Sequence, residues 1–250
     1  MTAIAVAFDH SEKSFVIASD GRCATSTMPV QIKTDTQQKI HFEQTQYVAI
    51  VYAMTGLAAI GSFETMTAVH GQIQMLSKRK FNDGYEYADK LCFNLTKVFE
   101  KALEDGRIPM IPMAGDLPPE ETGRLFRLLL FGHFRKKPFL KIASFYYNEN
   151  VPHFRLRAQD EALSQNGIFP FGSDEIARMI FGDGAIDPRI AHFKYDRNHP
   201  DAQTATTNFV KACSHPAALE IDPWCRIVGG HIHAAELTKN GFAWLIPPTV

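Results

Sequence analysis

The sequence predicts an α+β fold in which two antiparallel sheets stack face to face with helices on the outside. Two observations carry this. Apolar runs of strand length recur in pairs joined by short polar turns. Two long segments with helical spacing, and later two shorter ones, interrupt them. The order is strands, two long helices, strands, two shorter helices, strands, and such hairpins bury best as facing sheets covered by helices. No composition shift, solenoid-length repeat or low-complexity tract divides the chain, so residues 1–250 are read as a single domain.

The first hairpin pairs Ala3–Phe8 with Ser14–Ser19 across the polar turn at residues 9–13. Lys39-Ile40-His41-Phe42 and the strongly apolar Tyr47–Met54 follow as strands, the latter running into Thr55-Gly56-Leu57-Ala58-Ala59. Apolar residues at Ile60, Phe63, Val69, Ile73 and Leu76 predict a helix over Leu57–Leu76. The spacing of Ala88, Leu91, Leu95, Val98, Phe99 and Ala102 predicts another over Tyr85–Leu103, stopped by Gly106 and Pro109. Arg107–Thr122 carries four prolines and reads as an ordered or lid-like loop. Strands return at Phe126–His133, Phe139–Tyr146 and Pro152–Arg157. Ser173, followed by two acidic residues, reads as the N-cap of a short helix over Asp174–Phe181. A further helix is expected over Gln203–Cys213, and a closing hairpin pairs His231–Leu237 with Gly241–Ile246.

Composition narrows the function. Hydrophobic residues make up 45% and charged residues 21%, as in ordinary globular proteins. A formal net charge of -1 leaves no footprint for nucleic acid or an anionic membrane. There is no transmembrane run, and a strand pattern begins where a secretory signal would stand, so a cytoplasmic location is expected. Cys23, Cys92, Cys213 and Cys225 form no CxxC pair and are read as free thiols, some of them buried. His231 and His233 alternate on one strand without a visible third ligand, so neither a metal nor another cofactor is expected.

The chemistry centres on Thr2. A small residue after the initiator lets Met1 be removed, which would give Thr2 a free α-amine beside its hydroxyl. Such an amine titrates at about 7.7–8.0, within reach of a general base's role. The site would also need a cation to keep the amine neutral, a carboxylate to hold that cation, and an amide for the oxyanion. Lys39, Asp20 and Gly56 are the candidates. Asp20 ends the second strand of the first hairpin, which returns it toward Thr2. Gly56 ends the most hydrophobic strand, read as a junction with a helix. The bland alternatives are a turn at Asp20-Gly21, a solvated strand lysine and a simple strand-to-helix turn.

Thr2, Ser19-Asp20-Gly21-Arg22, Lys39-Ile40-His41 and Met54-Thr55-Gly56-Leu57-Ala58-Ala59 stand in the order and approximate spacing of the proteasome β-subunit family, which the chain resembles. Leu128–His133 resembles that family's central strand, Phe171-Gly172-Ser173 its turn before the third helix, and Gly229–Phe242 its closing hairpin. The resemblance covers nearly the whole chain. It implies the four-layer αββα sandwich of the N-terminal nucleophile hydrolases. It also implies that Thr2 is the nucleophile, Lys39 the group that lowers the amine pKa, Asp20 the holder of Lys39, Gly56 the oxyanion donor and Ser173 a support for the amine. Asp222, in Asp222-Pro223-Trp224-Cys225, matches the aspartate of an Asp-x-x-Ser-Gly element. Either Cys225 replaces that serine or, counting back from Gly229-Gly230, Val228 does. The first hairpin turn and the loops at Arg107–Thr122 and Gly182–Ala202 are longer than the family's.

The activity implied is threonine-type peptide hydrolysis through an acyl-enzyme, on polypeptide substrates, inside a homo-oligomeric ring. Folded substrates would need a separate ATP-dependent unfoldase, because the chain has no P-loop. The alternatives are a non-peptidase amidohydrolase with the same chemistry and a catalytically silent, ring-forming structural subunit.

Overall fold

The computed structural model describes residues 2–24, 31–56, 59–60, 62–108, 124–148, 153–198 and 201–249. The strands are β1 (Ile4–Asp9), β2 (Ser14–Asp20), β3 (Cys23–Ala24), β4 (Ile32–Thr34), β5 (Ile40–Gln44), β6 (Val48–Gly56), β7 (Ala59–Ile60) and β8 (Phe63–Glu64). After helices α1 (Thr65–Leu76) and α2 (Gly84–Glu104) come β9 (Arg124–Phe134), β10 (Lys137–Asn148), β11 (His153–Asp160) and β12 (Gly167–Phe171). The rest comprises α3 (Asp174–Phe181), a 3-10 turn (Pro188–Phe193), α4 (Ala202–Ser214), α5 (Ala218–Ile221), a second 3-10 turn (Pro223–Ile227), β13 (Ile232–Thr238) and β14 (Gly241–Ile246). The fold is α+β with antiparallel sheets, as the sequence predicts.

The chain divides into two compact units, Met1–His41 with Leu163–Val250, and Phe42–Ala162. The first holds a five-stranded sheet in the order β12-β1-β2-β13-β14. Ala3 and Ala5 of the β1 segment, Ala18 of β2 and Ala234 of β13 face one core with Ile176 and Ile180 of α3 and Phe209, Val210 and Cys213 of α4. Small residues on the strands let α4 lie close to the sheet. The alternate β1 residues Ile4, Val6 and Phe8 are buried as well, so this strand is apolar on both faces.

The second unit holds a sheet in the order β11-β10-β9-β6-β5. Its core joins Ile50, Tyr52, Leu128, Leu130 and Phe145 to Val69 and Ile73 of α1 and Leu91, Leu95 and Phe99 of α2. Phe99 meets the Phe126 and Phe145 rings edge-on at 5.2 and 5.3 Å.

Two expectations need correction. The helix expected over Leu57–Leu76 begins only at Thr65, because Ala59–Ile60 and Phe63–Glu64 pair as a short ladder before it. Strand β12, absent from the sequence reading, forms the edge beside β1. Leu57, Ala58 and nearly all of Arg107–Thr122 lie outside the described residues.

Candidate active site

The β1–β2 hairpin sets the geometry. Its register pairs Ile4 with Ser19, and Asp20 N–H donates to the Ala3 carbonyl at 3.2 Å. The end of β2 therefore lies beside Thr2, as hairpin length alone predicts. On the other side of β2, Ile232 of β13 pairs with Asp20.

Asp20 is fully buried. Its Oδ1 accepts from Ala3 N–H at 2.9 Å and from Lys39 Nζ at 3.1 Å. Its Oδ2 accepts from Gly229 N–H at 3.2 Å and Arg22 N–H at 3.3 Å. Lys39 Nζ also donates to Thr2 Oγ1 at 3.1 Å. Thr2, Asp20 and Lys39, spread over 38 positions, thus form one connected group inside the first unit.

Burial pushes the Asp20 carboxyl above its ordinary value, and the Lys39 ammonium opposes that shift. Burial pushes Lys39 below its ordinary value, and Asp20 opposes this in turn. Both groups are displaced toward neutrality, so a proton held between them is easier to move than in water. A lysine whose charge is destabilised, placed at hydrogen-bond distance from a hydroxyl, can relieve that hydroxyl of its proton or polarise it.

Ser173 is buried and follows Gly172, whose φ of +137° suits glycine. The β1–β12 register ends on the pair Ile4 and Phe171, and a Cβ on the next residue, Gly172, would stand 3.3 Å from the Thr2 carbonyl. The Ser173 hydroxyl serves as the predicted N-cap, since its Oγ accepts from Ile176 N–H at 3.2 Å. Asp222 caps the 3-10 turn Pro223–Ile227, accepting from Trp224 N–H at 3.0 Å. Cys225 is buried in the helix-side core, where its thiol hydrogen-bonds that of Cys213. The neighbours of the Asp20 group are instead the Val228 carbonyl, which accepts from Arg22 at 3.3 Å, and Gly229 N–H. Of the two alignments left open by the sequence, the one through Val228 places backbone beside the site.

Gly56 belongs to the second unit and ends β6. A side chain there would meet Leu125 O at 2.5 Å, so close approach of β9 already accounts for a glycine. Because α1 starts at Thr65, Gly56 is not at the mouth of a helix as expected.

One residue of this group escaped the sequence reading. His233, only 1% exposed, accepts the Lys39 backbone N–H through Nε2 at 3.0 Å. Burial, and then the neighbouring Lys39 charge, lower its pKa to about 4. Its alternation with His231 was the visible signal, but that pattern points to a shared face and not to Lys39. His231 Nε2 lies 2.8 Å from the Pro247 carbonyl. Among the described residues no group of three or more His, Cys, Asp or Glu is arranged to hold a metal ion. No helix among them is long and apolar enough to cross a membrane.

No protein-family model and no curated protein matches the chain. Among solved structures, a Gly-1 mutant of Anbu from Hyphomicrobium sp. strain MC1 is similar, with a TM-score of 0.54 over 97% of this chain and 84% of that one. At 12% identity the likeness is one of fold. This chain therefore shares its fold with that protein.

Proposed function

We propose that the chain is a threonine-type endopeptidase in which Thr2, freed by removal of Met1, attacks the peptide carbonyl and forms an acyl-enzyme. The main support is the 3.1 Å spacing from Lys39 Nζ to both Thr2 Oγ1 and the buried Asp20 carboxylate. A lysine destabilised by burial eases deprotonation of the hydroxyl, while the carboxylate keeps the Nζ in place. The Thr2 α-amine accepts the proton and delivers it to the leaving amine. Water then releases the acyl group. The oxyanion donor assigned to Gly56, and supporting roles for Ser173 and Asp222, rest on the family resemblance alone. So do the αββα sandwich, the homo-oligomeric ring and the separate ATP-dependent unfoldase, whereas a single domain and a cytoplasmic location are proposed from the sequence pattern.

Intact-mass measurement is expected to show loss of one methionine, and retained Met1 would remove the free amine on which the mechanism depends. Purified protein is expected to cleave fluorogenic peptides, with Thr2→Ala lowering kcat at least about a thousandfold. Cleavage of small acyl amides but no peptides would favour the amidohydrolase. Equal activity in Thr2→Ala would end the proposal. Sedimentation at monomer mass would remove the ring.

A further inference from the structure

The segment that delivers Lys39 has no strand partner of its own. Residues 36–39 carry no regular structure, and Thr36, Gln37 and Gln38 are exposed. Among the described residues, few backbone bonds therefore hold this segment. Gln37 N–H donates to the Gly21 carbonyl at 2.8 Å, and the Asp35 carbonyl accepts from His231 N–H at 2.7 Å. At Lys39 itself the N–H donates to His233 Nε2 at 3.0 Å.

We propose that His233 is a positioning residue of this site: by accepting the Lys39 backbone N–H, its imidazole fixes where the Lys39 Nζ sits between Thr2 and Asp20. The proposal rests on the Thr2–Lys39 reading above and adds a residue which that reading does not contain.

Three features fit this role. His233 sits on β13 opposite Ser19 of β2, in the sheet that also carries Asp20, so the acceptor and the carboxylate share one rigid frame. Accepting at Nε2 requires a lone pair there, hence a neutral ring with its proton on Nδ1. The surroundings impose that state: the ring is buried, and Lys39, His231 and His41 all disfavour a positive charge on it. The indole of Trp244 on β14 meets the ring edge-on at 6.1 Å and limits its rotation. Among the described residues His233 bonds the Lys39 backbone N–H and neither the hydroxyl nor the carboxylate, so it acts through Lys39.

The test compares His233→Leu, which keeps bulk without an acceptor, with His233→Gln, whose amide oxygen reaches about as far as Nε2. Two readouts are taken: steady-state kinetics on a fluorogenic peptide, and hydrogen exchange of the Lys39 amide. His233→Leu is expected to lower kcat about ten- to a hundredfold with KM within about twofold, as befits a displaced group of order 1 Å. Its Lys39 amide should exchange at least about tenfold faster, the mark of a lost acceptor. His233→Gln should return both readouts to within about threefold of the parent protein. A folded His233→Leu with unchanged kcat would overturn the proposal, whatever its Lys39 exchange. So would a Gln variant as impaired as the Leu variant, since bulk or tautomer and not the acceptor would then matter. If His233→Leu does not fold, His233→Asn, too short to reach Lys39, takes its place with the same expected losses. The two ideas fail separately. A parent protein without Thr2-dependent activity removes the site reading and the proposal together. An active parent with an equally active His233→Leu removes the proposal alone.

Discussion

Lys39 and Asp20 stabilise each other at a depth where neither is stable alone. Removing the cation by Lys39→Met leaves a fully buried carboxylate with backbone donors only. We expect a loss of about 3–5 kcal/mol in denaturant unfolding, together with loss of peptide cleavage. The pair Lys39→Met with Asp20→Asn should be more stable than Lys39→Met alone, because no charge is then stranded. His233 gives the site an acid limit. The unfolded ring takes up its proton near 6.5, the folded one only at about 4. Its stabilising contribution is therefore complete above pH 6.5 and is lost as pH falls from there toward 4, roughly 3 kcal/mol in all. Urea midpoints measured across this window should fall with acid in the parent protein and fall less in His233→Leu. Thr2 and Asp20 were legible because a hairpin of fixed length places them, and Lys39 because of the family resemblance, since it precedes β5 on residues without regular structure. His233 was not, since its bond to Lys39 spans 194 positions and depends on how β13 joins β2.

At the scale of elements, local chemistry explains both what was readable and what was not. Helix α2 announces itself: Asp83 accepts from Glu86 N–H at 2.9 Å while Glu86 accepts from Asn82 N–H at 2.7 Å. Asp83→Ala should cost about 1 kcal/mol in thermal or urea unfolding. The same helix is tied to its sheet by Lys141, whose buried ammonium lies 2.7 Å from Asp89 and 2.5 Å from Asp160. Strand β12 was hidden because Gly167-Ile168-Phe169-Pro170-Phe171 lacks alternation and contains a proline, which edge strands alone accommodate. Its last turn also carries a functional constraint. A side chain at Gly172 would stand 3.3 Å from the Thr2 carbonyl, on a backbone with φ of +137°. Gly172→Ala should cost about 1–3 kcal/mol and depress turnover by shifting Thr2, and a mutant with full activity would show that the strand start can yield.

The whole molecule closes its candidate site with both ends of the chain. The first unit joins Met1–His41 to Leu163–Val250, while the second is continuous. The β1–β2 hairpin lies between β12 and β13, both from the C-terminal part. A chain cut after Ala162 loses the Gly229 donor to Asp20 and the His233 acceptor for Lys39, so it should show no Thr2-dependent cleavage. Pairing across such sequence separations also places folding toward the slow end for its size. The two sheets and their helices were foreseeable from period and punctuation. The division into units was not, because an apolar run does not say which distant strand it will join.

The route of the chain into Lys39 has one more consequence. Asp35 is seated in a notch where Gly21 and Gly230 offer backbone without side chains; a Cβ on Gly21 would stand 2.7 Å from the Asp35 carbonyl. Four residues later the chain is tied again, at His233. Between these two anchors residues 36–38 serve as a ruler fixed in number: the exposed Gln37 side chain is free to change in kind, while Gln38 Nε2 donates to the Ile40 carbonyl at 2.9 Å. Gln37→Ala should leave the protein unaltered, whereas one extra glycine after Gln37 should silence it without unfolding it.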